Sequence, residues 1–196
     1  MNLLSFNLFF LYSLFFNNIK SKYKMASALK NLSTYDESTM PNASEMKFGI
    51  VVSDWNAHIT HTLYEGAFDT LIKHGAIEKN IFTIQVPGAY ELPIGARMLE
   101  GKEHPDALIC LGCVIKGDTD HDKYINQSVA SALQSMALMA NKPVVFGLLT
   151  VNDEQQALDR AGGKHGNKGI EAAQTAIRMV ELKKNLNNEG KKSIGF

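Results

Sequence analysis

Four short apolar runs recur along the chain, each followed by an amphipathic stripe of helical spacing, and this alternation constrains the fold more than any other feature. The runs are Phe48 to Val52, Ile81 to Val86, Ala107 to Ile115 and Pro143 to Val151. They are too short for ordinary helices and rich in Val, Ile and Leu, which suits strands buried on both faces. Between them, Ile59, Leu63, Ala67, Leu71 and Ile72 recur at helical spacing and stop at Gly75, a C-cap signal. A second stripe runs through Ile94, Met98 and Leu99 to Gly101, and a third through Ile125, Val129, Leu133, Met136 and Ala140. Two helices close the chain, Glu154 to Arg160 and Lys168 to Lys184, the latter with Ile170, Ala173, Ile177 and Val180 on one face. This order predicts one α/β domain, a three-layer αβα sandwich around a four-stranded parallel sheet with right-handed crossovers.

The 196 residues carry 20 basic and 20 acidic side chains, but the balance is uneven. Residues 1–24 hold Lys20, Lys22 and Lys24 and no acid, so the remainder is mildly acidic. A nucleic-acid binder would show the opposite bias or a clustered basic face. The same segment holds Phe6, Phe9, Phe10, Phe15 and Phe16, half of the ten phenylalanines. From Leu3 to Phe16 it is apolar except at Ser5, Asn7 and Ser13, a run too short for a membrane-spanning helix. Its positive charge follows the apolar run, and no small-residue cleavage site comes after it, which is the reverse of a signal peptide. We read residues 1–24 as an N-terminal extension ahead of a natural start at Met25; a short membrane or export segment is the alternative. Residues 25–46 are rich in Ser, Thr, Asn and charge and are expected to form a flexible arm. Residues 47–196 form the domain. Two cysteines exclude a disulfide-stapled scaffold.

In open parallel sheets, ligands bind beyond the carboxyl ends of the strands. That rule selects Asp54 to Asn56, Gly88 to Glu91, Lys116 to His121 and Thr150 to Asn152. Trp55, the one tryptophan, could stack on a flat heterocycle or plug the rim of the core. Glu91, after the turn at Gly88, could accept hydroxyl hydrogen bonds or only complement a helix dipole. Gly117, Asp118 and Thr119 lead into a helix start whose free amides can hold a phosphate, although the Asp118 carboxylate would repel one unless it points away. His121 is the natural proton shuttle of that loop, because imidazoles exchange protons near neutral pH; a merely solvated histidine is the alternative. The stretch from Arg160 to Gly169 combines four glycines with Arg160, Lys164 and Lys168, which would bring cations to an anion on a tight backbone. It is neither a P-loop nor a dinucleotide fingerprint. Cys110 and Cys113 match a CxxC spacing, but on a strand they point to opposite faces, which argues against a redox or zinc role. His58, His61 and Glu65 have metal-ligand spacing on a helix, but no further ligand cluster accompanies them.

The strand-end segments also carry a family resemblance. FGIVVSDWN, VPGAYELP, LGCVIKGDTDHDKY, PVVFGLLT and RAGGKHGNKG, in that order from about Lys47 to Leu186, resemble the 6,7-dimethyl-8-ribityllumazine synthases. The resemblance implies a flavodoxin-like fold and the condensation of 5-amino-6-(D-ribitylamino)uracil with 3,4-dihydroxy-2-butanone 4-phosphate, with release of phosphate and water. By similarity, Trp55 stacks on the pyrimidine. Ala89, Tyr90 and Glu91 with Cys113, Val114 and Ile115 line the pyrimidine and ribityl pocket, and Asn56 and Glu91 lie near ribityl hydroxyls. Asp118, Thr119 and Arg160 hold the phosphate, and His121 donates and accepts protons. Phe146 and Lys168 are implied around the pyrimidine, and these two with Arg160 come from a neighbouring subunit. No metal or cofactor is implied. The partners implied are the small-molecule substrates and further copies of the chain, in pentamers or in a sixty-subunit shell of twelve pentamers, with no nucleic acid and no membrane. A cytoplasmic location is expected. Tyr90 for Phe and Cys113 for Thr keep the pocket's character, whereas Asp118 in place of a small residue would weaken phosphate binding unless Arg160 and the helix amides outweigh it. A module that binds a lumazine or flavin without turnover is the rival reading, and the triple presence of His121, Arg160 and Lys168 speaks against it.

Overall fold

Each apolar run becomes a strand. The computed structural model describes residues 33–192, and the extension read over residues 1–24 lies outside them. Strands β1 (Phe48–Ser53), β2 (Ile81–Val86), β3 (Ala107–Ile115) and β4 (Val144–Val151) pair in the order β2-β1-β3-β4. All pairings are parallel, with Phe48 opposite both Ile81 and Ala107, and Ile109 opposite Val145. This is the flavodoxin-like strand order. The connections carry α1 (Ala57–Lys73), α2 (Leu92–Glu103) and α3 (His121–Ala140); α4 (Glu154–Arg160) and α5 (Lys168–Lys192) follow β4.

Strand side chains alternate between the two faces, and each face receives its own pair of helices. Phe48, Ile50, Val52, Ile109 and Leu111 meet Ile59, Leu63 and Leu71 of α1 and Ala173 and Ile177 of α5. Val51, Leu108 and Cys110 meet Leu92 and Leu99 of α2 and Val129 and Leu133 of α3. Each large apolar side chain buried this way stabilises the fold by about 1.5–3 kcal/mol. Cys110 and Cys113 fall in opposite clusters as free thiols, as strand geometry demands. Burial on both faces holds throughout the central strand β1 and as far as Val114 in the central strand β3. Edge strand β2 leaves Thr83 and Gln85 exposed.

The sequence misplaces one helix face. Ile94 and Met98 were the expected buried stripe, yet they are 53% and 66% exposed. The inward positions of α2 are Leu92, Gly95, Ala96 and Leu99. The helix lies so close to the sheet that a methyl group on Gly95 would sit 2.7 Å from a Val86 methyl and 3.0 Å from one of Val51. Small residues therefore mark the contact, and hydrophobicity alone points the wrong way. The helix also runs past Gly101 to Glu103, and α5 runs on to Lys192. A short antiparallel ribbon, β5 (Ala161–Gly163) with β6 (Gly166–Asn167), was not anticipated.

Of the segment read as a flexible arm, residues 25–32 lie outside the described residues, and residues 33–46 make specific contacts with the domain. Ala43 and Met46 are fully buried, and Ser33 exchanges hydrogen bonds of 2.9 and 2.6 Å with the backbone of Asn167. Lys73 pairs with Glu37, and the Tyr35 hydroxyl lies 2.6 Å from His74 Nε2. Isolated anchors without periodicity leave no pattern for sequence reading to find. Asn167, which the segment grips, is itself a hub. Its side-chain nitrogen donates to the Thr62 carbonyl at 2.9 Å, and its oxygen accepts from the Gly169 amide at 2.7 Å. Here α1 and α5 touch backbone to backbone, and a methyl group on Gly169 would overlap the Leu63 carbonyl.

Gly169→Ala is therefore expected to cost roughly 1–3 kcal/mol or more in urea unfolding; an unchanged midpoint would show that the two helices can separate freely. A second expectation concerns pH. Burial and then the Lys73 charge hold the His74 pKa below its ordinary value, with Glu37 partly opposing. The folded state thus resists protonation, and this contribution, complete at neutral pH, is lost as the pH falls below about 6.5. The urea midpoint should drop more steeply on acidification in the unaltered chain than in His74→Asn. Parallel curves would remove His74 from the account.

Candidate active site

The parallel sheet brings the ends of β1, β2 and β3 to one edge, where a cavity of about 510 Å³ opens. A volume of this order suits a small organic ligand. Trp55, Asn56, Gly88, Ala89, Tyr90 and Glu91 line it from the first two strand ends, and Cys113, Val114 and Ile115 from the third. Gly117, Thr119 and His121 close the side nearest α3.

Local backbone chemistry sets these side chains in place. The β1–β2 ladder continues past the strands, the Asp54 amide donating to the Val86 carbonyl at 2.9 Å and that of Trp55 to the Pro87 carbonyl at 3.1 Å. Trp55 is thereby held beside the turn at Gly88 while its ring stays exposed. A methyl group on Gly88 would lie 3.0 Å from a Glu91 carboxylate oxygen and 3.6 Å from the Trp55 ring. The missing side chain lets indole and carboxylate converge. Asn56 adopts the left-handed conformation (φ 59°), which asparagine tolerates better than most residues. Its Nδ2 donates to the Cys113 carbonyl at 3.0 Å, tying the end of β1 to β3. Burial first, and then the Glu154 charge, push the Cys113 thiol up to about 11, so it is a small neutral wall at physiological pH.

His121 is the first residue of α3 and is exposed. The Asp120 side chain caps none of the helix amides and instead meets Lys123 Nζ at 2.7 Å. An imidazole therefore stands at a helix start without a side-chain cap, in a cavity that Thr119 also lines. The combination can move a proton while an anion is held nearby.

The other sequence-derived residues do not line this cavity. Asp118 is exposed in the adjoining loop. Phe146 is half-buried on β4 against the second core cluster. Arg160 and Lys168 form a separate cluster around Glu171. Arg160 donates to the His165 carbonyl at 2.7 Å and to Glu171 Oε2 at 3.0 Å, and Lys168 Nζ reaches the same oxygen at 3.3 Å. His58 pairs with Glu154 at 2.8 Å. Sequence reading missed three lining residues, Asp122, Tyr124 and Ile125. Tyr124 and Ile125 stand at helical spacing of three and four from His121, a signal that could have found them.

The comparisons with known proteins agree with this geometry. Residues 45–184 match the family model for 6,7-dimethyl-8-ribityllumazine synthase. A protein of that name from Cytophaga hutchinsonii is 53% identical over 156 residues, covering 80% of this chain and 98% of the relative. One from Parabacteroides distasonis is 51% identical over 158 residues, covering 81% and 99%. A third, from Flavobacterium psychrophilum, is 47% identical over 163 residues, covering 83% and 86%. The matched span contains all four strands and every residue that lines the cavity. With the family model matched from 45 to 184 and a relative of that name 53% identical, the chain is an enzyme that belongs to the 6,7-dimethyl-8-ribityllumazine synthase family.

Proposed function

We propose that the enzyme condenses 5-amino-6-(D-ribitylamino)uracil with 3,4-dihydroxy-2-butanone 4-phosphate to give 6,7-dimethyl-8-ribityllumazine, phosphate and water, the penultimate step of riboflavin biosynthesis. The observation that carries this reading is the composition of one cavity, in which an exposed indole, an acceptor carboxylate, apolar strand ends and an imidazole beside uncapped amides converge. The pyrimidine stacks on Trp55 against Ala89, Tyr90, Val114 and Ile115, with Cys113 as a small wall. Glu91 and Asn56 face the ribityl hydroxyls. Thr119, the helix amides and Arg160 hold the phosphate, and Asp118 turns outward. One amine attacks the ketone and water leaves as the imine forms. Loss of a proton and elimination of phosphate follow, and the second amine closes the ring with loss of water. Each step transfers a proton, for which His121 serves, and the sequence of steps balances without an oxidant or a reductant. Holding the two substrates together supplies much of the remaining acceleration.

Arg160, Lys168 and Phe146 complete the site from a second copy of the chain, in a pentamer or a shell of pentamers in the cytoplasm. Two observations support self-association. Within one chain these three residues do not line the cavity, and Leu138 and Met139 of α3 lie exposed, the kind of apolar surface that assembly covers.

Mixing the purified protein with both substrates should generate lumazine fluorescence. His121→Ala is expected to lower kcat by roughly 100-fold or more without abolishing turnover, since orientation survives the loss of the proton carrier. A variant at the unaltered rate would contradict the assignment of His121, and an inactive parent protein would contradict the reaction.

A further inference from the structure

Arg160 and Lys168, the two cations that the proposed reaction takes from a neighbouring copy, share one carboxylate, that of Glu171 in the first turn of α5. Glu171 Oε2 accepts from Arg160 Nη2 at 3.0 Å and from Lys168 Nζ at 3.3 Å. Its Oε1 lies 2.8 Å from the same Arg160 nitrogen but is a buried atom without a hydrogen bond, so this second contact is electrostatic and Oε2 does the bonding. The Arg160 and Glu171 side chains are each 17% exposed, against 29% for Lys168.

The Arg160 guanidinium is gripped on two sides. Nη1 donates to the His165 carbonyl at 2.7 Å while Nη2 donates to Glu171, and two contacts on one planar fork fix its orientation. These bonds use only part of its five N–H donors, and the rest can meet an anion. Asp159, the acid next to Arg160 in sequence, is no substitute for Glu171, because it already receives Lys164 at 2.8 Å and Gln155 at 3.0 Å. Gln174, three residues beyond Glu171, keeps a buried Nε2 without a partner, so among the described residues Arg160 and Lys168 are the donors that this carboxylate serves. A helix-dipole role would need only a charge in the first turn and would be met by an exposed carboxylate.

We infer that Glu171 is a positioning residue, which aims the Arg160 guanidinium at the phosphate of the butanone phosphate without itself touching the substrate. The inference rests on the reaction proposed above, in which Arg160 holds that phosphate. Two effects of the carboxylate oppose each other there, since it orients the cation and also repels the anion. Orientation prevails because the charge of Glu171 is already matched by two cations, whereas a freed Arg160 would keep only the His165 carbonyl as a guide. Lys168 depends on Glu171 less, through a longer contact and at greater exposure.

The test is steady-state kinetics of the full chain as Glu171→Ala and Glu171→Gln, and of Glu171→Ala combined with Arg160→Ala. Glu171→Ala should raise the KM for the butanone phosphate about fivefold or more, the size of one lost hydrogen bond, while kcat and the KM for the ribitylaminouracil stay within about threefold. Glu171→Gln, which keeps an acceptor at the same reach, should give a smaller rise. In the Arg160→Ala background, Glu171→Ala should change the KM for the butanone phosphate by less than about twofold, because a residue that acts through Arg160 has nothing left to aim. An unaltered or lowered KM for the butanone phosphate in Glu171→Ala would overturn the inference. So would an equal rise in both KM values, or an effect as large without Arg160 as with it, either of which marks a structural role. If Glu171→Ala does not fold, Glu171→Asp, which keeps the charge but not the reach, takes its place with the same expected rise; if that chain also fails to fold, Glu171 is structural and the inference fails. An Arg160→Ala chain with an unaltered KM for the butanone phosphate would instead remove the phosphate-holding role of Arg160 on which the inference stands.

Discussion

A parallel sheet buried between two helix layers leaves its strands one arrangement in which every carboxyl end points the same way. That constraint, set by the twofold alternation of Ile50, Val51 and Val52 between two cores, decides where chemistry can occur. The loops after β1, β2 and β3 must meet at one edge, whatever residues they contain. The cavity is therefore a consequence of how the core is divided. One wall is the end of β3, whose earlier residues are fully buried, so Cys113 and Val114 are set by the core itself.

Polar groups are treated differently in the two regions. Away from the cavity, Asn167 uses its main chain and both side-chain atoms to join the docked N-terminal segment, α1 and α5. Around the cavity, side chains are held in place while their chemical ends stay open. The Trp55 ring is exposed, and the amides of α3 have no side-chain cap. Arg160 and Lys168 are pinned by Glu171 on another part of the chain. In the proposed reaction they act on an anion presented by a neighbouring copy.

Most of the architecture was legible in the sequence because it rests on strong periodic signals. The strand positions and the opposite faces of Cys110 and Cys113 follow from runs and alternation. What escaped has a common cause, in that it depends on contacts that carry no period. The buried face of α2 is set by Gly95 and Ala96 at a close helix–sheet approach, so the bulkier Ile94 and Met98 misled. Residues 33–46 dock through single anchors, Ala43, Met46 and Ser33. The strand-end rule located most of the cavity, because topology alone fixes that edge. It did not reach Asp122, Tyr124 and Ile125 on α3, nor relate Arg160 and Lys168 to the cavity within one chain.

The central claim is that one chain's cavity works with the basic cluster of another. Co-expression of His121→Ala and Arg160→Ala chains with different affinity tags, followed by isolation of the mixed assembly, tests it directly. The account predicts that lumazine synthesis, at a low concentration of the butanone phosphate, exceeds that of either single-variant assembly. Sites that combine an intact His121 with a neighbour's intact Arg160 would produce the gain. A mixed assembly no faster than the mean of its two parents would place both residues in the same chain's site and contradict the account.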